Sequence, residues 1–229
     1  MAELITREFT YQAGDFTVPA YACYPAAGGP GVIVLHAWWG LTPFFKRLCQ
    51  RLAEAGFAVI APDLYNGVTA DTIEAAQQAL NASSFDYMQQ ALQGVVAQIR
   101  RLPGVGTDGL GVIGFSLGAA MSLVLTTALD PQAIAAVVLF YGSETVDFSR
   151  TKAAFLGHFA EQDPWEPLEN VRSMEAELHA SGLKTAFYLY PGVGHWFFED
   201  NRPDAYQPEA AQLAWERTLV FLNDELRHI

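Results

Sequence analysis

Residues 110–118 read Leu-Gly-Val-Ile-Gly-Phe-Ser-Leu-Gly, and residues 119–124, Ala-Ala-Met-Ser-Leu-Val, follow without a break. The run Leu110–Phe115 is continuously apolar, which predicts a strand buried on both faces, and the residues after Ser116 continue as a helix. Between them stands Gly114-Phe115-Ser116-Leu117-Gly118, a G-x-S-x-G pattern. As a bare string this pattern is weak, but a buried strand before it and a helix after it make it specific. A serine on so sharp a turn needs strained backbone angles, and Gly114 and Gly118 remove side chains that would collide with it. Its oxygen then projects from the carboxyl edge of a sheet, at the amino end of a helix whose amides favour negative charge. The competing reading is that Ser116 only caps that helix; the flanking strand and the two glycines favour a nucleophile.

Outward from this turn, further apolar runs alternate with helical patterns. Strands are expected at Gly31–His36, Phe57–Ala61, Ile134–Tyr141, Ala153–Phe159 and Thr185–Tyr190, with an antiparallel edge from Thr6 to Tyr11 and Phe16 to Tyr24. Thr42-Pro43 opens a helix with the stripe Phe45, Leu48, Leu52, and Gly56 stops it. Met88, Leu92, Val95, Ile99 and Leu102 form a second stripe, Leu168, Val171, Met174 and Leu178 a third, and Trp215, Leu219, Leu222 and Leu226 a last one. Strands alternating with helices predict an α/β fold, a mostly parallel central sheet with helices on both faces. Neither a linker nor a repeat interrupts residues 1–229, which are expected to form a single domain.

The formal net charge of −12 sets up a field that repels phosphate backbones and anionic membranes, so nucleic acid and membrane are excluded as partners. Cys23 and Cys49 fit no metal or redox spacing and read as thiols in a reducing compartment. The first residues lack a basic segment followed by an apolar core, and no apolar run reaches spanning length; a cytoplasmic protein is expected.

A serine hydroxyl needs a base beside it. Of the five histidines, His228 and His179 lie at ends of helices, His158 lies within a strand as a packed residue, and His36 ends a strand and stays a candidate. His195 follows the last strand through Tyr190-Pro191-Gly192-Val193-Gly194, read as a flexible loop able to carry an imidazole over the sheet edge. The orienting acid should fall between serine and histidine in chain order. Asp163 does, just past the strand at Ala153–Phe159; Glu161 is its competitor. The order Ser116, Asp163, His195 puts each residue beyond a successive strand, on the edge where parallel sheets bind ligands. Donors for an oxyanion are expected from the Leu117 amide and from the loop after His36, with Trp38 preferred over Ala37.

Assembled, these residues resemble the dienelactone hydrolase family over nearly the full chain. The motifs are His36-Ala37-Trp38-Trp39-Gly40-Leu41, Ala61-Pro62-Asp63-Leu64-Tyr65, Gly114-Phe115-Ser116-Leu117-Gly118 and Tyr141-Gly142. They continue with Phe159-Ala160-Glu161-Gln162-Asp163-Pro164-Trp165 and Gly194-His195-Trp196-Phe197-Phe198. The resemblance implies an α/β-hydrolase fold with no large lid domain, no cofactor or metal, and hydrolysis of esters or lactones. Two departures stand out: the family's best-known members carry Cys where Ser116 stands, and a Glu where Ala37 stands. Together they point to Ser-His-Asp chemistry through an acyl-enzyme in place of a substrate-gated thiolate. The family grips a substrate carboxylate with arginines; here only Arg202 stands near the site, with an ion pair to Glu199 or Asp200 as its ordinary role. His36, Tyr65, Tyr141, Trp38, Trp165 and Trp196 are candidates to line an open cleft. The expected partner is a small ester or lactone, and the expected state a monomer or weak homodimer.

Three rival functions compete with a serine hydrolase. Gly104-Val105-Gly106-Thr107-Asp108-Gly109 matches a dinucleotide-binding string but precedes a strand, which reverses the required context. A ligand-binding protein without activity conflicts with the assembled Ser, Asp and His. A thioesterase or other acyl hydrolase stays open, because one triad serves every acyl group.

Overall fold

Each of the buried apolar runs forms a strand, and the polar N-terminal stretch forms the antiparallel edge. The structure, a computed structural model, describes residues 3–106 and 108–226. His228 and Thr107 lie outside these. The chain divides into two compact units, Met1–Leu110 and Gly111–Ile229.

In the first unit, β1 (Leu4–Ala13) and β2 (Phe16–Pro25) form a hairpin, Ala13 facing Phe16 across a turn in which Gly14 adopts a φ of 56°. β2 pairs antiparallel with β4 (Ala58–Pro62), which pairs parallel with β3 (Gly31–Leu35), in the order β1-β2-β4-β3. Every residue of β3 and β4 is buried, as β-branched runs covered on both faces should be. Helix α1 (Pro43–Glu54) turns Phe44, Phe45, Leu48, Cys49 and Leu52 inward. Thr42 has the extended backbone of a cap, but its side chain makes no capping bond. Helix α3 (Phe85–Ile99) buries Met88, Leu92, Val95 and Ile99 of the expected stripe, Leu102 falling past its end, and its first turn is capped by Ser84. Between them lies α2 (Ile73–Ala82), which the sequence pattern did not announce: it buries only Ala76 and Ala79, too little apolar surface for a legible stripe.

The second unit holds β5 (Leu110–Phe115, whose first residue closes the first unit), β6 (Ile134–Phe140), β7 (Ala154–Gln162) and β8 (Thr185–Gly194), in that spatial order. β6 with β7 and β7 with β8 are parallel. Helices α4 (Leu117–Ala128), α5 (Leu168–Ala180) and α6 (Pro208–Leu226) complete it. The ring of Phe115 stacks on Phe140 at 4.5 Å. His158, fully buried in β7, is held between the Tyr190 hydroxyl at 2.9 Å and the Thr218 hydroxyl at 3.0 Å. Burial pushes its imidazole down to about 3, so it is a neutral packed residue.

Residues 190–194 are not a flexible loop; they continue β8, with Gln162 paired to Gly194 beyond an irregularity in the register at Ala160–Gln162. The Glu161 carboxylate accepts the Gly192 amide at 2.8 Å. A bulge lets a strand resume pairing after an extra residue, so the chain reaches the sheet edge as ordered backbone.

Candidate active site

Four side chains stand one residue past the ends of four strands: Ser116 after β5, Tyr141 after β6, Asp163 after β7 and His195 after β8. The Ser116 amide donates to Phe140 O at 2.9 Å and the Tyr141 amide to His158 O at 2.8 Å, which keeps these ends level. Ser116 has φ 50° and ψ −113°, a conformation L-residues avoid and one found where surrounding structure enforces it. The enforcement is visible in the glycines. A Cβ on Gly114 would sit 2.2 Å from Gly118 O and 2.3 Å from Ser122 Oγ, and one on Gly142 would sit 2.5 Å from Ser116 O. Gly142 thus shares the work the sequence assigned to Gly114 and Gly118.

Ser116 precedes α4, yet its side chain makes no capping bond. The hydroxyl instead lies 3.0 Å from His195 Nε2, while His195 Nδ1 lies 2.6 Å from Asp163 Oδ2. The carboxylate holds the ring proton on Nδ1 and leaves Nε2 to accept from the serine. Asp163 is itself oriented: its Oδ1 accepts the amides of Trp165 at 2.9 Å and Glu166 at 3.0 Å. The Asp163 and His195 side chains are 1% and 4% exposed, so water hardly competes for their bond. Glu161, the competing acid, is committed to Gly192. Leu117 is the first residue of α4, where an amide has no acceptor within the helix.

The model of the dienelactone hydrolase family matches residues 18–226. This chain belongs to the dienelactone hydrolase family. It is 30% identical to "Protein usf" of Aquifex pyrophilus over 225 residues, covering 94% of this chain and 97% of that one. It is 29% identical to "Probable 2-oxo-3-(5-oxofuran-2-ylidene)propanoate lactonase" of Bradyrhizobium sp, covering 89% and 88%. The crystal structure of "Putative Dienelactone Hydrolase" from Klebsiella pneumoniae subsp. pneumoniae MGH 78578 superposes with a TM-score of 0.83 at 26% identity, over 96% of this chain and 98% of that one. The fold is that of an α/β-hydrolase, with a mostly parallel sheet.

The remaining candidates of this dienelactone hydrolase family member divide between the units. His36, Ala37, Trp38 and Tyr65 belong to the first. His36 is fully buried; its Nδ1 faces Ala37 O at 2.7 Å and its Nε2 accepts the Leu64 amide at 3.0 Å. Burial lowers its pKa, outweighing the nearby Asp63 carboxylate. With both nitrogens engaged, this neutral ring braces the end of β3 against the loop after β4. Tyr65 is buried, its ring 5.4 Å from His36, and Trp38 packs edge-on against Trp39 at 5.4 Å.

Tyr141, Trp165, Trp196 and Arg202 belong to the second unit. Trp196 is buried and meets the His195 ring edge-on at 4.9 Å; Trp165, 48% exposed, lies 5.8 Å from Trp196. The Arg202 guanidinium lies 5.1 Å over the Trp196 ring and pairs with Asp204 at 3.2 Å, an acid the sequence reading did not name. Tyr141 is fully buried, with its hydroxyl on Glu199 at 2.7 Å. One acid went unnoticed in the sequence, Glu166, and a second, Glu199, was named only as an ion-pair partner for Arg202. Glu166 takes both the Ser143 amide and hydroxyl on its carboxylate, and Glu199 takes Tyr141. Nothing in their local pattern announces burial, which the far ends of β6 impose. Among the described residues no group of three or more His, Cys, Asp or Glu side chains could hold a metal ion, and no helix is long and apolar enough to cross a membrane.

Proposed function

We propose that this protein hydrolyses small esters or lactones through a Ser116-His195-Asp163 triad and an acyl-enzyme. The observation that carries the reading is the continuous relay of 3.0 Å from hydroxyl to imidazole and 2.6 Å from imidazole to carboxylate. As Ser116 Oγ attacks the carbonyl carbon, its proton passes to His195 Nε2, and Asp163 stabilises the imidazolium. The oxyanion is held by the Leu117 amide, contributing about 10²-fold or more in rate. His195 then protonates the departing alkoxide or ring oxygen, and the same histidine activates the water that frees the acid. The printed name of the Bradyrhizobium relative, a lactonase, supports this substrate class. Residues 1–229 act as one catalytic domain, a reading supported by the single family match over residues 18–226. Cys23 and Cys49, buried and without a disulfide, support a cytoplasmic location.

The test compares wild type with Ser116→Ala on aryl esters, lactones and thioesters, alongside fluorophosphonate labelling. Wild type is expected to be labelled at Ser116, and the variant to lose labelling and about 10⁴-fold or more in kcat. A variant that hydrolyses these substrates at the wild-type rate overturns the proposal. Thioesters outrunning aryl esters would move the assignment to a thioesterase on the same residues.

A further inference from the structure

Glu199 is an acid that the proposed triad leaves unused, yet it is fully buried beside it. Its Oε1 accepts the Tyr141 hydroxyl at 2.7 Å, and its Oε2 is buried without a hydrogen-bond partner. A carboxylate with a bare oxygen in such a place is costly, whereas a carboxylic acid is tolerated. Burial pushes Glu199 up to about 8, against the opposing pull of the Tyr141 bond and the Arg202 charge, while Asp200 adds to the rise. Tyr141 stays neutral, held well above its usual range by burial first and then by Glu199 and Asp163. Within this unit the titratable and charged groups around Glu199 are therefore Tyr141 from the end of β6, Asp163 acting on Tyr141 from the end of β7, and His195, Asp200 and Arg202 from the segment after β8. The Tyr141 ring lies 4.8 Å from the His195 ring. Tyr141 and Trp196, whose rings both pack against the imidazole, carry positive φ, 39° and 65°. Strained backbone of this kind persists only where side-chain contacts hold it.

We propose that Glu199 is a positioning residue: as a neutral carboxylic acid it anchors the Tyr141 hydroxyl, and so keeps the Tyr141 ring against His195 with the imidazole aligned between Ser116 and Asp163. The proposal rests on the triad reading above. When Glu199 ionises, the buried charge forces the segment 196–202 to rearrange and the ring support is lost. The linkage has a definite sign. Glu199 titrates near 4.5 when unfolded and near 8 when folded, so stability is greatest at acid pH and falls as pH rises between those values.

The experiment uses the full chain with p-nitrophenyl acetate, from about pH 6 to about pH 10, and four proteins: wild type, Glu199→Gln, Glu199→Leu and Tyr141→Phe. Wild-type kcat should fall above about pH 8, and Glu199→Gln, which cannot ionise, should lose that fall. Glu199→Leu and Tyr141→Phe should each lower kcat about tenfold at neutral pH with KM within about twofold, Glu199→Gln recovering most of the difference. Two readouts need no substrate. The melting temperature of Glu199→Gln should gain on wild type as pH rises from about 5 to about 8, and the hydrogen-bonded Nδ1 proton of His195 should be visible by NMR in wild type and Glu199→Gln but broadened in Glu199→Leu and Tyr141→Phe. Glu199→Gln and Glu199→Leu behaving alike at every pH, or an Nδ1 signal indifferent to all three substitutions, overturns the proposal. A wild type that neither hydrolyses the ester nor takes a fluorophosphonate, but shows the NMR and melting behaviour, defeats the hydrolase reading and leaves the positioning role standing.

Discussion

Asp163 accepts three hydrogen bonds on two oxygens, from Trp165, Glu166 and His195. Two backbone amides therefore fix the carboxylate before it meets the imidazole. Replacing one oxygen by NH₂ keeps the shape but puts a donor opposite Nδ1–H or removes an amide acceptor. Asp163→Asn is expected to lower kcat by about 10³- to 10⁴-fold with little change in KM, by steady-state kinetics on an aryl ester. Glu161→Gln, by contrast, touches only the Gly192 amide and should cost less than about tenfold. If the two effects were reversed, the acid has been misassigned. Both residues stand in one seven-residue motif, Phe159 to Trp165; which one faces the histidine depends on the end of a strand 32 positions further along the chain, not on anything local.

At the scale of an element, the turn between β5 and α4 is the most demanding piece of the fold. Gly114 lies against the Gly118 carbonyl and Gly142 against the Ser116 carbonyl, each too close to admit a Cβ. Gly114→Ala forces a methyl to 2.2 Å from Gly118 O, and neither that carbonyl nor Ser122 on α4 can retreat without breaking the helix start. A loss of about 3 kcal/mol or more in urea unfolding is expected, above the usual overpacking range because backbone must move. A variant with wild-type stability and activity would show the turn to be slack. The strand β8 makes the complementary point: Pro191, Gly192 and Gly194 read as loop residues, yet pairing with β7 and the Glu161 carboxylate order them. Tertiary pairing overrode composition there, as strand preferences generally yield to context.

At the scale of the whole molecule, buried titratable groups of opposite sense shape the response to pH, His158 and His36 on the acid side and Glu199 on the alkaline side. His158 remains neutral down to about 3 when folded and gains a proton near 6.5 when unfolded, so its contribution is full above about pH 6.5 and is lost on acidification, on the order of 4 kcal/mol in total. Glu199 works in the other direction, lost between about 4.5 and about 8. The formal charge of −12 adds self-repulsion on the alkaline side. Stability from urea unfolding should therefore peak between about pH 4.5 and about pH 6.5 and decline on both sides. His158→Gln should make the acid limb shallower, with His36 supplying part of what remains; an acid limb unchanged by that substitution would place its origin elsewhere.

Residue order and short-range pattern determined the strands, the strand–turn–helix at Ser116 and the succession Ser116, Asp163, His195, because a buried parallel strand and a tight turn each write their physics into a handful of adjacent residues. The family resemblance rested on the same local stretches. What only the folded chain decided is which groups share a dry space: Glu199 with Tyr141, Glu166 with Ser143, His158 with Tyr190 and Thr218, and the ordering of residues 190–194. Burial and hydrogen-bond partnership are set by segments from 23 to 60 positions apart, a separation over which neighbouring residues carry no record of one another.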